Sequence, residues 1–379
     1  MRKTKTGTNK AKTSAWKSVV KSIFISISVT LILLLCIESG AFVLSVVLKH
    51  VEQNQNYPYP YDNDYMNAVR HKQQFMIADY CPYIGFCEQK FDAGNYSIVS
   101  AGERTTINLC NSSVNNSKEN KPINIFLFGG STTICAEVLD QDTWASQLSA
   151  ELCKRGYNVN VRNFGESSFV STQEMIKMLL TLQKGEKPDY VIFFDGYNDF
   201  YSAYQNGRID YPQNAAFDVL SYRAFNQQNF FNPIFLSATL KGVQHLARTK
   251  SVVYTDAQIL NLSTALKEQY VQTAHEVEAL GVVYNFTPLF FWQPTVMTKP
   301  NRTAYEEASA QGAYADFARI GEYQNTTTMQ ESVPEFHDIS NILENETEPY
   351  YIDQVHVGIR GDTKIAQAIA DYVEPLLAK

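Results

Sequence analysis

From Ile123 onward, short apolar runs alternate with amphipathic stretches that close on glycine. INIFLFGG is followed by TWASQLSAELCKRG, then by VNVRNFG, STQEMIKMLLTLQKG and YVIFFDG. Unbroken apolar runs suit strands buried on both faces, and the stretches between them repeat their apolar positions at helical spacing. This alternation predicts β-α units around a parallel sheet. Leu262 to Gly281 predicts a further helix, VVYNFTPLFF a further strand, and TKIAQAIADYVEPLLAK a closing helix interrupted by Pro375. Residues 201–250, rich in Tyr, Phe, Asn and Gln without a clear period, read as an insertion at one end of the sheet, where aromatics either cover a cleft or pack on the domain.

A different pattern opens the chain. The first 21 residues carry seven bases (Arg2, Lys3, Lys5, Lys10, Lys12, Lys17, Lys21) and no acid, and Ile23 to Leu48 is apolar apart from Ser, Thr, Gly and Glu38. As a helix these 26 residues span about 39 Å, enough for a hydrocarbon core of about 30 Å. A transmembrane helix with its basic flank in the cytoplasm is expected, which leaves everything after His50 outside. The alternative is a cleaved signal peptide ending at Ser39-Gly40-Ala41, although AFVLSVVL prolongs the apolar run beyond a signal core. The expected organisation is a basic tail over 1–22, an anchor over 23–48, a linker and accessory segment over 49–121, and the main domain over 122–379.

Charge and cysteine content narrow the function. Of 32 bases, 25 lie beyond the tail and face 39 acids, a formal charge of −14. A body so acidic argues against nucleic acid as a partner. Cys81, Cys87, Cys110, Cys135 and Cys153 follow the apolar segment, which itself holds Cys36. Five leave one unpaired; Cys81 and Cys87 are nearest in sequence, and the remaining pairing stays open. No C-x-x-C spacing occurs, so no metal is expected. Eight Asn-x-Ser/Thr sites, at Asn95, Asn111, Asn115, Asn261, Asn285, Asn301, Asn325 and Asn345, would accept glycans in a glycosylating host.

Three apolar runs end in GGST, NFG and DGYND. Strand carboxyl ends share one edge of a parallel sheet, and ligands bind there, so Ser131, Gly165 and Asn198 should be neighbours. A serine needs a base before it acts as a nucleophile. His356, three residues after Asp353 in YYIDQVHVG, can supply one: the carboxylate fixes one ring nitrogen and the other faces the serine. Backbone N–H groups of Ser131 and Gly165 and the Asn198 amide can stabilise an oxyanion. The Lys of a phosphate-binding loop is missing, G-x-S-x-G fails at Thr133, and His275 stands in HEVE rather than H-E-x-x-H. The other histidines, His50, His71, His245 and His337, read as surface or structural residues.

These blocks resemble the SGNH hydrolases, also called GDSL-type esterases and lipases. Ser131, Gly165, Gly196-Tyr197-Asn198-Asp199 and Asp353-Gln354-Val355-His356 match the four blocks in order. A membrane-anchored bacterial branch is similar in its FGGST, NFG and DG-x-ND blocks, and the likeness covers about Pro82 to Lys379, including Pro82-Tyr83-Ile84-Gly85-Phe86 and Gly102-Glu103-Arg104. Gly130 departs from the Asp of the family name, as it does in that branch. The resemblance implies a three-layer α/β/α sandwich with a central parallel, flavodoxin-like sheet beside the transmembrane helix. It implies catalysis by Ser131, His356 and Asp353, with Gly165 and Asn198 in the oxyanion hole and no cofactor. An extracytoplasmic esterase is expected, removing acyl groups such as acetyl from glycans or small molecules. An O-acyltransferase with the same triad and a non-catalytic glycan-binding protein remain as alternatives.

Overall fold

The computed structural model describes residues 7–53, 63–74, 76–100, 102–110, 121–215, 253–312 and 314–378. Most of the expected 201–250 insertion, much of the linker, and the sites at Asn111 and Asn115 lie outside them. Helix α1 (Gly7–Gln53) is one unbroken element; its Trp16–Leu44 stretch, in which an 18-residue window reaches a mean hydropathy of 2.5, is long and apolar enough to cross a membrane.

The second unit is built on an eight-stranded sheet. Its strands are β3 (Phe91–Asp92), β4 (Ser97–Ser100), β5 (Glu103–Arg104), β6 (Ile123–Gly129), β7 (Val159–Asn163), β8 (Tyr190–Asp195), β9 (Thr287–Trp292) and β10 (Phe336–Asp338); β1 (Ala78–Cys81) and β2 (Gly85–Glu88) form a separate hairpin. The order is β10-β9-β8-β6-β7-β5-β4-β3, and the five strands from β7 to β10 are all parallel. Their sequence order reads 2-1-3-4-5, the doubly wound flavodoxin-like arrangement, whose chain reverses direction of build between β6 and β8.

The apolar runs are unbroken because both faces are covered. Ile125 and Leu127 of β6 join Ile192, Phe194, Leu289 and Phe291 in one core, while Phe126 and Phe128 join Val191, Phe193, Phe290 and Trp292 in the other. The period-two alternation thus divides each strand between two cores. Helices α4 (Trp144–Lys154) and α8 (Ile359–Leu377) cover the first; α5 (Ser171–Gln183), α6 (Tyr197–Asn206) and α7 (Asp256–Tyr284) cover the second. The architecture is the expected three layers.

Several expectations are corrected. The sheet is mixed, because the accessory segment adds antiparallel strands β3 to β5 beyond β7, joined through Arg104 opposite Asn163. Val282 to Tyr284, expected in a strand, end helix α7, and Asn285 in left-handed conformation stops it by donating to Gly281 O. Pro375 does not interrupt the last helix: it sits in its final turn. The cysteine pairing left open is Cys81–Cys87 and Cys110–Cys153, with Cys135 free and buried.

Candidate active site

β6 ends at Gly129, and Ser131 opens a single helical turn, α3 (Ser131–Ile134). As its first residue, Ser131 has an N–H with no acceptor inside the helix. The turn is held from several sides: Trp144 Nε1 donates to Thr132 O at 3.0 Å, and Thr132 Oγ1 donates to Gln293 Oε1 at 2.6 Å. Beneath it lies Arg104, fully buried. Its guanidinium donates to Ile134 O, Cys135 O and Val138 O at 3.1, 3.0 and 2.8 Å, pairs with Asp140 at 3.0 Å and stands over the Tyr96 ring. The accessory segment is therefore part of the seat of the Ser131 turn.

His356 and Asp353 come from the loop before α8. His356 Nε2 lies 2.7 Å from Ser131 Oγ, and Nδ1 lies 2.7 Å from Asp353 Oδ2. Asp353 Oδ1 also accepts the N–H groups of Val355 and His356, at 2.9 and 2.8 Å. This wraps the D-x-x-H segment on itself and leaves the ring little freedom. Burial pushes the Asp353 carboxyl up, but His356 and these N–H donors outweigh it and hold it below the usual range. For His356 burial acts downward. The carboxylates of Glu137 and Asp353 prevail, and its pKa rises to about 10. The sign follows: a raised folded-state value stabilises the fold fully below the unfolded pKa of about 6.5, and that contribution is lost as pH rises through about 10.

Asn198 is the second residue of α6, just after β8. Its Nδ2 donates to Phe169 O at 2.8 Å, and its Oδ1 accepts from Gln213 Nε2 at 2.8 Å, which fixes which way the amide faces. Nδ2 rests over Gly130, where an added Cβ would come within 2.0 Å of it. That contact gives a physical reason for glycine beside Ser131, since any side chain there displaces the amide. Asp199 points elsewhere, accepting from Ser171 N and Oγ at 3.2 and 2.7 Å and so anchoring the start of α5.

Gly165 packs against the Ser131 turn so closely that a Cβ would meet Ile134 N at 2.4 Å, and its N–H donates to Asn163 Oδ1 at 2.9 Å. Serine, histidine and aspartate thus form one hydrogen-bonded row, with Asn198 and Gly165 packed against the Ser131 turn. Sequence reasoning did not single out Gln213, Gln293 or Glu137. Glu137 stands in CAEVLD, which matches no motif, yet its Oε1 lies 4.0 Å from His356 Nε2. Among the described residues no His, Cys, Asp or Glu group is arranged to hold a metal ion.

A doubly wound α/β sheet carrying a serine–histidine–aspartate row at its carboxyl edge defines the class: the arrangement can pass a proton from a serine hydroxyl to an oriented imidazole, the first need of acyl transfer. Solved structures of low sequence identity are similar to part of the chain. The chain is similar to a member of the lipolytic protein G-D-S-L family from Veillonella parvula DSM 2008, at 11% identity over 68% of this chain and 99% of that one, with a TM-score of 0.37. It is also similar to the lipase Lip_vut3 from a goat rumen metagenome (12%, 66% and 97%, TM-score 0.40) and to an acetyl xylan esterase from Geobacillus stearothermophilus (12%, 68% and 97%, TM-score 0.32). No protein-family profile matches the chain, and no curated protein is similar to it in sequence.

Proposed function

We propose that the protein is a membrane-anchored serine esterase working outside the cytoplasm. The observation that carries this reading is the pair of 2.7 Å contacts joining Ser131 Oγ, His356 and Asp353 in one row. In the reaction Ser131 Oγ attacks an ester carbonyl as His356 takes its proton. The protonated ring then gives that proton to the leaving alcohol, and water discharges the acyl group. Asp353 keeps the Nδ1 tautomer and steadies the imidazolium. The Asn198 amide and the Ser131 N–H receive the oxyanion; the Gly165 N–H joins them by giving up Asn163. The apolar run of α1 from Ile23 supplies the anchor, and the seven bases before Ile23 keep the amino terminus inside. So placed, the site faces envelope or extracellular glycans, whose acyl esters, acetyl first among them, are the proposed substrates.

Two measurements test the reading. A serine-reactive fluorophosphonate should label Ser131 in the detergent-solubilised protein; equal labelling of Ser131→Ala contradicts it. Acetate should be freed from an acetylated polysaccharide without any added sugar acceptor, whereas acetyl appearing chiefly on an acceptor makes the protein a transferase.

The base must be neutral to act, so kcat/KM should climb through the alkaline range toward a midpoint near the raised value of about 10. Glu137→Gln removes one of the carboxylates that raise it and should move the midpoint to lower pH. An unmoved profile would show that Glu137 does not govern the titration of His356.

A further inference from the structure

The row of three residues leaves Glu137 unused, although its carboxylate lies 4.0 Å from the atom that must activate the acyl acceptor. Oε1 and Nε2 are too far apart to bond each other and suitably spaced to share an oxygen. An oxygen about 2.8 Å from both subtends close to 90° between them, near the angle between the two hydrogens of water. The same two side chains line a cavity of about 10 Å³, with room for a single water, whose walls also include Thr132, Gln293 and Asp362. Burial pushes the Glu137 carboxyl up and the neighbouring His356 draws it down; once ionised the carboxylate only accepts hydrogen bonds, and so does neutral Nε2. Water has a hydrogen for each. An alcohol has one, and when it gives that hydrogen to Nε2 it turns a lone pair toward Glu137.

We infer, resting on the esterase reading, that Glu137 and His356 together hold the water that discharges the acyl enzyme, so that the site selects water over a single hydroxyl as acceptor. In this step the water oxygen bonds to the acyl carbon while one of its protons passes to His356 Nε2. The bond from that carbon to Ser131 Oγ then breaks, and the proton on Nε2 goes to Oγ, restoring the serine. The second water proton stays on the departing acid, directed at Glu137 throughout. Beyond its effect on the titration of His356, Glu137 thereby takes part directly in the second half of the cycle, whereas the Ser131, His356 and Asp353 row acts in both.

The test supplies the full-length protein in detergent with nitrophenyl acetate and methanol, and compares methyl acetate with free acetate among the products. Both products arise from one acyl enzyme, so the ratio is unaffected by a variant that folds only in part. Glu137→Gln should raise the share of methyl acetate about tenfold, the loss expected for a hydrogen bond to a charged group. Glu137→Ala should raise it likewise. An unchanged ratio in both variants overturns the inference alone. Wild-type transfer to methanol as ready, at equal concentration, as transfer to water also overturns it, because a single hydroxyl would then serve as well as water. No nitrophenol release by the wild type overturns the esterase reading and this inference with it.

Discussion

Replacing His356 with Ala should lower kcat/KM for an aryl acetate by about 10⁴-fold or more, because no other group near Ser131 Oγ can take its proton in the same geometry. Among the described residues, His356 Nε2 is the ring nitrogen placed 2.7 Å from that oxygen. Ser131→Ala should cost a similar factor, and the double variant should be little worse than either single one, since residues that act as a unit lose their effect together. Asp353→Asn should leave the ring in place but favour the wrong tautomer, at a cost of about 10⁴ in kcat. Steady-state kinetics on the three variants and the double variant check this. Losses that simply multiply would mean that Ser131 and His356 do not act in one step.

The second large effect is on folding. Arg104→Ala removes a guanidinium that is buried completely, pairs with Asp140 and satisfies three carbonyl groups behind the nucleophile turn. Breaking a buried pair by deleting one partner typically costs about 3–5 kcal/mol, because the other charge is left uncompensated. For a domain of this size that corresponds to a fall in Tm of roughly 5–15 °C. Arg104→Lys keeps the charge but cannot spread donors over three carbonyls, so an intermediate fall is expected. Thermal unfolding of the three proteins decides it. A variant with unaltered Tm would show that the accessory strands merely adjoin the sheet, without supporting the turn that carries Ser131.

Arg104 also marks the boundary of what a linear reading reaches. The β-α rhythm, the order of the three strand-end blocks and the D-x-x-H segment are local patterns, and local patterns report which face of each element meets apolar surroundings. They were enough to predict β-α units around a parallel sheet with Ser131, Gly165 and Asn198 at one edge of it, and to pair Asp353 with His356; the flavodoxin-like layering was implied by the family resemblance. The long apolar stretch before residue 50 was legible for the same reason: its length and composition are properties of one segment and need no partner to declare themselves. Val282 to Tyr284 show the limit of such patterns. The three residues are apolar and β-prone, yet they close a helix, because Asn285 in left-handed conformation ends it and the strand begins only at Thr287.

The rest depended on contacts between residues far apart in the chain. Arg104 reaches the carbonyls of Ile134 to Val138 because β5 pairs with β7, and Gln213 reaches Asn198 from beyond the end of α6. Which cysteines pair follows from which elements lie side by side, with Cys110 brought to Cys153 across 43 residues. Glu137 has no signature at all, since a carboxylate in a turn looks the same whether it faces solvent or an imidazole 4.0 Å away. The sequence by itself determined the β-α alternation, the long apolar stretch near the start and the order of the strand-end groups, because hydrophobic period and strand-end chemistry are written locally. Only the tertiary structure decided what supports those groups and which second carboxylate joins them, because hydrogen bonds and Coulomb interactions act over a few ångströms of space without regard to separation along the chain.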